Sequence, residues 1–171
     1  LARDQWTKAG PSRFEFLFRP AEGLSARPLA RIASGGEVSR VMLAIKVVLG
    51  ETDEVETLVF DEVDAGVGGA TAVALASVLS DLARTHQVIV VTHLPQVAVV
   101  GETHYLVAKR EEPASAGKGG EAKSTEAAFA PETVLALLEG EERIAEVARM
   151  LSGDASEASL AHAAEMLARA A

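Results

Sequence analysis

Apolar residues recur at helical spacing in the segment that follows Ser34. They are separated by three or four positions, and Gly50 ends the pattern. This spacing predicts a helix that starts at Ser34, stops at Gly50 and buries one continuous face. Upstream, the aromatic residues 14–18 predict a short strand, and residues 20–31 predict a loop. The apolar positions of the helix are Val38, Val41, Met42, Ile45, Val48 and Leu49.

Two short runs rich in β-branched residues, 57–60 and 87–91, flank an alanine-rich segment at 70–84. The pattern predicts a β-α-β unit with a right-handed crossover and a parallel sheet. The carboxyl ends of both strands then meet at one edge of the sheet. The side chains predicted to pack the helix are Val73, Leu75, Val78, Leu79 and Leu82.

The remaining third of the chain predicts a strand at 105–108, a mobile loop at 111–121 and a pairing arm at 123–130. Two helical patterns follow, at 141–151 and 156–170. No linker divides the chain, so we expect one domain over residues 1–171. The expected fold class is α/β, with a parallel β-sheet flanked by helices.

Composition narrows the possible environments. The chain has 171 residues, of which 49% are hydrophobic and 24% charged, and it has no cysteine. No apolar run reaches the roughly 18 residues of a spanning helix, so we expect a soluble cytoplasmic protein with no membrane partner. The net charge is −9, although residues 1–46 hold 8 of the 16 Lys and Arg and only 4 of the 25 Asp and Glu. An acidic chain gains little from counterion release, so DNA binding by this chain alone should be weak.

Ser34, Gly35, Gly36 and Glu37 form a glycine-rich helix start. Ser34 and Glu37 fit a capping box, in which each side chain bonds the other residue's backbone amide. Two glycines in a first turn weaken a helix and are useful where a ligand approaches bare amides. A phosphate site and a capped helix start are compatible, and both interpretations stay open here.

Asp61 and Glu62 directly follow an apolar strand, with Asp64 two positions further on. A solvated pair at a strand end would explain them simply. Because strand side chains alternate between faces, we expect one carboxylate to face a metal and the other an attacking water. Phosphoryl transfer to water needs that division.

His93 follows the second strand, so it should lie at the same edge as the carboxylates. Alone, it would be an ordinary hydrogen-bonded histidine. The other three histidines have no metal-ligand spacing, which argues against zinc. The sequence also lacks a G-x-x-x-x-G-K-[ST] loop, and Gly117-Lys118-Gly119 does not stand between a strand and a helix. The motifs therefore describe half of a nucleotide-hydrolysing site.

In this order, the motifs resemble the C-terminal half of an ATP-binding-cassette head of the P-loop NTPase type. More narrowly, residues 31–40, 60–66 and 92–98 resemble the RecN family of SMC-like bacterial DNA repair proteins. The likeness runs from about residue 10 to the end. In such proteins the Walker A half of the head is N-terminal and a coiled coil separates the two halves, which would explain the missing loop.

The resemblance implies a role for each motif. The segment 34–37 would contact the γ-phosphate of ATP held by the opposing head of a homodimer. Asp61 would be the Walker B aspartate acting on Mg²⁺, Glu62 the general base, Asp64 part of the D-loop and His93 the switch histidine. The implied partners are the N-terminal Walker A half, a second head and DNA, with a nucleoid-associated location.

A second hypothesis is a nucleotide-dependent dimerisation module of another cassette protein, either RecF-like or a transporter ATPase. Ala33 stands where many cassette proteins have Leu, and Glu37 where transporters commonly have Gln. Both departures agree better with the RecN-like pattern. A heptad-repeat segment upstream would support the first hypothesis, and a short helical subdomain the second.

Overall fold

The computed structural model describes residues 8, 10, 12, 15–19, 21–32, 34–50, 55–110 and 132–170. The chain divides into two compact units, one ending at Thr92 and the other beginning at His93. The expectation of one domain over 1–171 stays a prediction.

The first unit opens with a short antiparallel hairpin. Strand β1 (Leu17–Phe18) pairs with β2 (Arg27–Pro28), and a 3-10 turn at Leu29–Arg31 follows. The Leu29 amide donates to the carbonyl of Phe16 over 2.8 Å and extends the pairing. The strand predicted at 14–18 is thus confirmed in its last two residues. The loop predicted at 20–31 contains β2, which the sequence pattern missed.

Helix α1 (Gly35–Leu49) ends at Gly50, as predicted, and the Gly50 amide donates to the Lys46 carbonyl. Its buried face is not the predicted one. Leu43 is buried, whereas Met42 is 42% exposed and Val48 is 85% exposed. Helical spacing identifies the apolar side of a helix, but it does not say whether this chain covers that side.

The predicted β-α-β unit is confirmed. Strand β3 (Thr57–Phe60), helix α2 (Gly69–Leu82) and strand β4 (Gln87–Val90) follow in order, and the strands pair in parallel from Thr57 opposite Gln87 to Phe60 opposite Val90. Of the predicted packing residues of α2, Val73 and Val78 are exposed. The buried side of the helix includes two alanines that were not predicted, Ala72 and Ala76. The buried residues are Ala72, Leu75, Ala76, Leu79 and Leu82.

One face of the β3–β4 pair is buried, and the other is exposed to solvent. Leu58 and Phe60 are buried, whereas Val59 and its pairing partner Ile89 are 66% and 48% exposed. An open groove also runs between α1 and β3. Its lining residues are Val38, Ser39, Met42, Lys46, Leu58, Val59 and Phe60.

The second unit begins with the short helix α3 (Pro95–Ala98) and an antiparallel pair, β5 (His104–Arg110) and β6 (Glu132–Leu138). The strand predicted at 105–108 is therefore confirmed and is longer. The predicted loop 111–121 and pairing arm 123–130 lie outside the described residues. The arm that pairs with β5 is β6.

The two predicted C-terminal helices are confirmed as α4 (Gly140–Ser152) and α5 (Glu157–Ala170). Gly153 ends α4 in a left-handed conformation, with φ of 82°. The helices pack around Val99, Val147, Ala148 and Ala163. Arg143 of α4 donates to the carbonyls of Ala98, Val99, Gly101 and Glu102, and so ties α4 to the segment after α3.

The helices of the described ranges are short. The longest, α1, has 15 residues, and a bilayer requires about 20 apolar ones. None of the described helices is both long and apolar enough to cross a membrane.

Candidate nucleotide-hydrolysis site

The start of α1 is exposed at its first two positions. Ser34 precedes the helix in an extended conformation, and its carbonyl accepts from the Val38 amide at 3.2 Å. The Ser34 hydroxyl makes no capping hydrogen bond, so the serine half of the predicted capping box is wrong. Ser34 and Gly35 are open to solvent. Ser34 and Gly35 therefore lie on a surface that a ligand can reach.

The turn after β3 packs against both glycines of this helix start. A Cβ atom at Gly35 would overlap Oε2 of Glu62, and one at Gly36 would lie 2.8 Å from both the Ala65 Cβ and the Glu62 carbonyl oxygen. Glycine is thus required at position 36 by contacts with backbone and Cβ atoms of this chain, whereas at position 35 the contact is with the end of a flexible side chain. The sequence pattern had offered only the approach of a ligand as the reason.

Asp61 and Glu62 lie in the turn beyond the strand, because β3 ends at Phe60. The argument from strand alternation is therefore wrong for this pair. Glu62 has φ of 55° and is the one non-glycine residue with positive φ in the described segments. This conformation costs about 1–2 kcal/mol, so the surroundings must hold it. Both carboxylates are exposed, and the turn directs that of Glu62 to Gly35.

Two side chains of the second turn of α1 hold the turn that carries the carboxylates. Ser39 Oγ donates to the Asp61 carbonyl at 2.6 Å. Arg40 Nη1 donates to the carbonyls of Val63 at 3.2 Å and Ala65 at 2.8 Å. The glycine-rich helix start and the paired carboxylates therefore form one packed substructure.

Asp64 is buried, with 2% of its surface exposed. Its Oδ2 accepts a hydrogen bond of 2.5 Å from the hydroxyl of Thr92. In this chain Asp64 joins the turn after β3 to the end of β4. Its predicted contact with nucleotide is untested and stays a prediction.

His93 is exposed and follows Thr92 directly, as the first residue of the second unit. The first unit brings together the helix start at 34–36, the carboxylates and Asp64. The place of His93 beside them stays a prediction. The roles of Ser39, Arg40 and Thr92 in holding the turn were not predicted from the sequence. A usable signal was the position of Arg40, one helical turn after Gly36.

The site has few metal ligands of its own. No group of three His, Cys, Asp or Glu side chains in the described residues is arranged to hold a metal ion. Mg²⁺ in phosphoryl-transfer sites is usually held by one or two carboxylates together with substrate phosphates and water. An exposed aspartate at a strand end, such as Asp61, fits that pattern.

No protein-family profile matches the chain. A solved structure from work on ATP-driven dimerization and DNA-stimulated activation of SMC ATPases aligns over 70% of this chain and 62% of that one, with 18% identity and a TM-score of 0.44. That likeness is too distant to support an inference.

Sequence relatives are much nearer. A Streptomyces coelicolor protein is 47% identical over 93% of this chain, one from Treponema pallidum 48% over 94%, and one from Deinococcus radiodurans 50% over 90%. All three are named DNA repair protein RecN, and the chain spans about a quarter of their length, between 24% and 26%. The resemblance predicted from the motifs is confirmed: by sequence, this chain is related to RecN over at least nine tenths of its length.

Proposed function

We propose that this chain supplies the C-terminal part of the ATP-hydrolysing head of an SMC-like protein that acts in DNA double-strand break repair and recombination. The observation that carries the proposal is the packing of Glu62 against Gly35. It places a candidate general base and a helix start of the kind that binds phosphate in one substructure; the base would act on ATP of its own head and the helix start on ATP of the other. Similarity to proteins named for DNA repair supports the cellular role.

The chemistry is hydrolysis of ATP by water. Asp61 would bind Mg²⁺, which neutralises charge on the phosphates when present. Glu62 would accept a proton from the attacking water. Exposed Ser34 and the adjacent amides would contact the γ-phosphate of ATP held by a second head, with Glu37 close by. His93 would act near the γ-phosphate of ATP bound by its own head, and buried Asp64 would hold the turn that carries Glu62.

An N-terminal segment carrying a Walker A loop would complete the head. Parallel strands are normally covered on both faces, and two strands alone are marginally stable. The exposed Val59 and Ile89 leave one face of this pair open, and α1 exposes Met42 and Val48. These surfaces have the apolar character expected of an incomplete domain. We refer below to this chain together with that segment as the assembled head.

The alternative, a RecF-like module or a transporter ATPase, is not favoured, since the relatives from Streptomyces coelicolor, Treponema pallidum and Deinococcus radiodurans all carry the RecN name. In the proposed role the protein is cytoplasmic and nucleoid-associated. It reaches DNA through the complete molecule, because this chain has a net charge of −9.

The test compares four samples in the presence of Mg²⁺ and ATP, namely the assembled head, this chain alone and the Asp61→Ala variant of each. The assembled head should hydrolyse ATP, whereas this chain alone should not, because it lacks the loop and lysine that position the β- and γ-phosphates. The assembled head with Asp61→Ala is the control. Turnover by this chain alone, well above its own Asp61→Ala variant, would contradict the split-head proposal.

A further inference from the structure

The side chain of Arg40 connects the helix start to the turn that carries the carboxylates. Its Nη1 donates to the carbonyls of Val63 and Ala65, on the C-terminal side of Glu62. A Cβ atom at Gly36 would lie 3.2 Å from the same nitrogen. The guanidinium therefore lies over the glycine and reaches the turn across it. A larger residue at 36 would meet both the turn and the guanidinium.

The turn needs such support because Glu62 has a left-handed backbone, which a residue with a Cβ atom seldom adopts. One hydrogen bond within the turn, from the Ala65 amide to the Glu62 carbonyl at 3.0 Å, is local. The two bonds from Arg40 come from 23 and 25 residues away and fix the turn to α1. Bonds from a charged donor are stronger than neutral ones.

We propose that Arg40 is a positioning residue for ATP hydrolysis, which holds the 62–65 turn so that the Glu62 carboxylate stays at the start of α1. The inference rests on the proposed function. Its mechanical basis is that one side chain of the helix bridges two carbonyls of the turn that carries the base. Displacement of a catalytic group by about 1 Å can reduce a rate 100-fold.

A positioning role for Arg40 predicts an effect on the rate of ATP hydrolysis and none on ATP affinity. Arg40 donates to backbone atoms of its own chain, so nucleotide affinity should not depend on it. In the assembled head, Arg40→Met should lower kcat about 10- to 100-fold and leave the Kd for ATP and ATP-dependent dimerisation within about twofold. Arg84→Met is the matched control, because Arg84 is exposed and its ion pair with the exposed Asp81 spans 3.9 Å.

Arg40→Lys gives a second readout. Lysine keeps the charge and a long stem but lacks the planar fork of donors. It should reach one carbonyl and recover part of the rate lost in Arg40→Met. If Arg40→Met does not fold, Arg40→Lys carries the comparison, with a smaller fall in kcat and unchanged ATP affinity. Hydrogen exchange at the Ala65 amide should accelerate in both variants.

The outcomes are distinct. If Glu62→Gln abolishes turnover and the Arg40 variants match Arg84→Met, the inference about Arg40 is overturned and the proposed function stands. The inference also fails if the Arg40 variants lose ATP affinity in proportion to kcat. If the parent head does not hydrolyse ATP, or Glu62→Gln hydrolyses it normally, the proposed function fails first.

Discussion

The hydroxyl of Thr92 donates to Oδ2 of Asp64 over 2.5 Å, and this bond joins the segments that follow two adjacent parallel strands. Asp64 is buried, so its carboxylate depends on partners inside the protein. The bond therefore fixes the turn after β3 relative to the end of β4.

Thr92→Val should lower the free energy of unfolding of the assembled head by about 1–3 kcal/mol, because it removes a hydrogen bond from a buried carboxylate. The matched control is Thr57→Val, whose hydroxyl bonds the exposed side chain of Gln87 at 2.9 Å. Its effect should stay within about 0.5 kcal/mol. Urea denaturation measures both, and equal effects would contradict a special role for Thr92.

Gly36→Ala should destabilise the assembled head by about 1–3 kcal/mol, because the added methyl group must displace Ala65 or the Glu62 carbonyl. Gly68→Ala is the control, since a Cβ atom there meets nothing within 4 Å and its φ of −166° suits any residue. Thermal unfolding distinguishes the two. A stable Gly36→Ala head would show that the turn can move away from α1.

Glu62→Gln should abolish ATP hydrolysis and preserve ATP binding, since an amide keeps the shape of the carboxylate but cannot take a proton from water. The expected consequence is a trapped ATP-bound dimer. Single-turnover hydrolysis and gel filtration with ATP measure the two effects. Turnover within a few-fold of the parent would mean that another group is the base.

Ser34→Arg should leave the ATP affinity of a single head nearly unchanged and block ATP-dependent dimerisation, because a bulky side chain then stands where a phosphate must approach backbone amides. Mixing this variant with a head that lacks the Walker A lysine tests contact in trans. Mixed dimers should contain one intact site and regain partial activity. No recovery, despite demonstrated mixed dimers, would count against the assignment.

The second unit should lose stability in mild acid because of His104. Burial lowers the pKa of His104 below its ordinary value, and the positive charge of Arg143 lowers it further, whereas Glu146 opposes the shift. The unfolded chain, with a histidine pKa of about 6.5, then binds a proton more readily than the folded one. Stability should therefore be present at pH 7.5 and fall as the pH drops through about 6.5.

The comparison for this prediction uses His104→Gln and the exposed control His162→Gln. Urea denaturation at several pH values should give a shallower acid loss for His104→Gln and an unchanged one for His162→Gln. An acid loss of the same size in all three proteins would assign the effect to other groups.

Much of the fold was predictable because the spacing of apolar residues and the positions of helix-ending glycines indicate the same helix and strand boundaries. Gly50 and Gly153 end α1 and α4, and the β-branched runs gave both parallel strands. The buried face of α1 was not predictable, because helical spacing does not tell which side of a helix its own chain covers. Strand β2 was missed, since two residues paired at an edge give no periodic signal.

The residues of the candidate site were predictable from motifs, but the contacts between them were not. Strand topology gave no reason for the helix start to meet the carboxylates, although their pairing as motifs of one kind of site was predicted. The left-handed turn at Glu62 and its contact with Gly35 were not, because they depend on packing between segments about 27 residues apart. Arg40 and Thr92 lie within the segments that carry the resemblance, but no role was predicted for them, and their hydrogen-bond partners reveal it.

In the second unit, the guanidinium of Arg143 donates hydrogen bonds to four carbonyl oxygens of the segment 98–102. A guanidinium that binds main-chain oxygens is indifferent to the side chains attached to them. The exposed end of that segment, at Glu102, can therefore exchange residues during evolution without loosening this attachment to α4, provided the path of the backbone is kept, whereas Val99 stays tied to the core. Homologues should vary more freely at Glu102 than at Arg143, and a loss of the arginine should be accompanied by a change in the length of the segment.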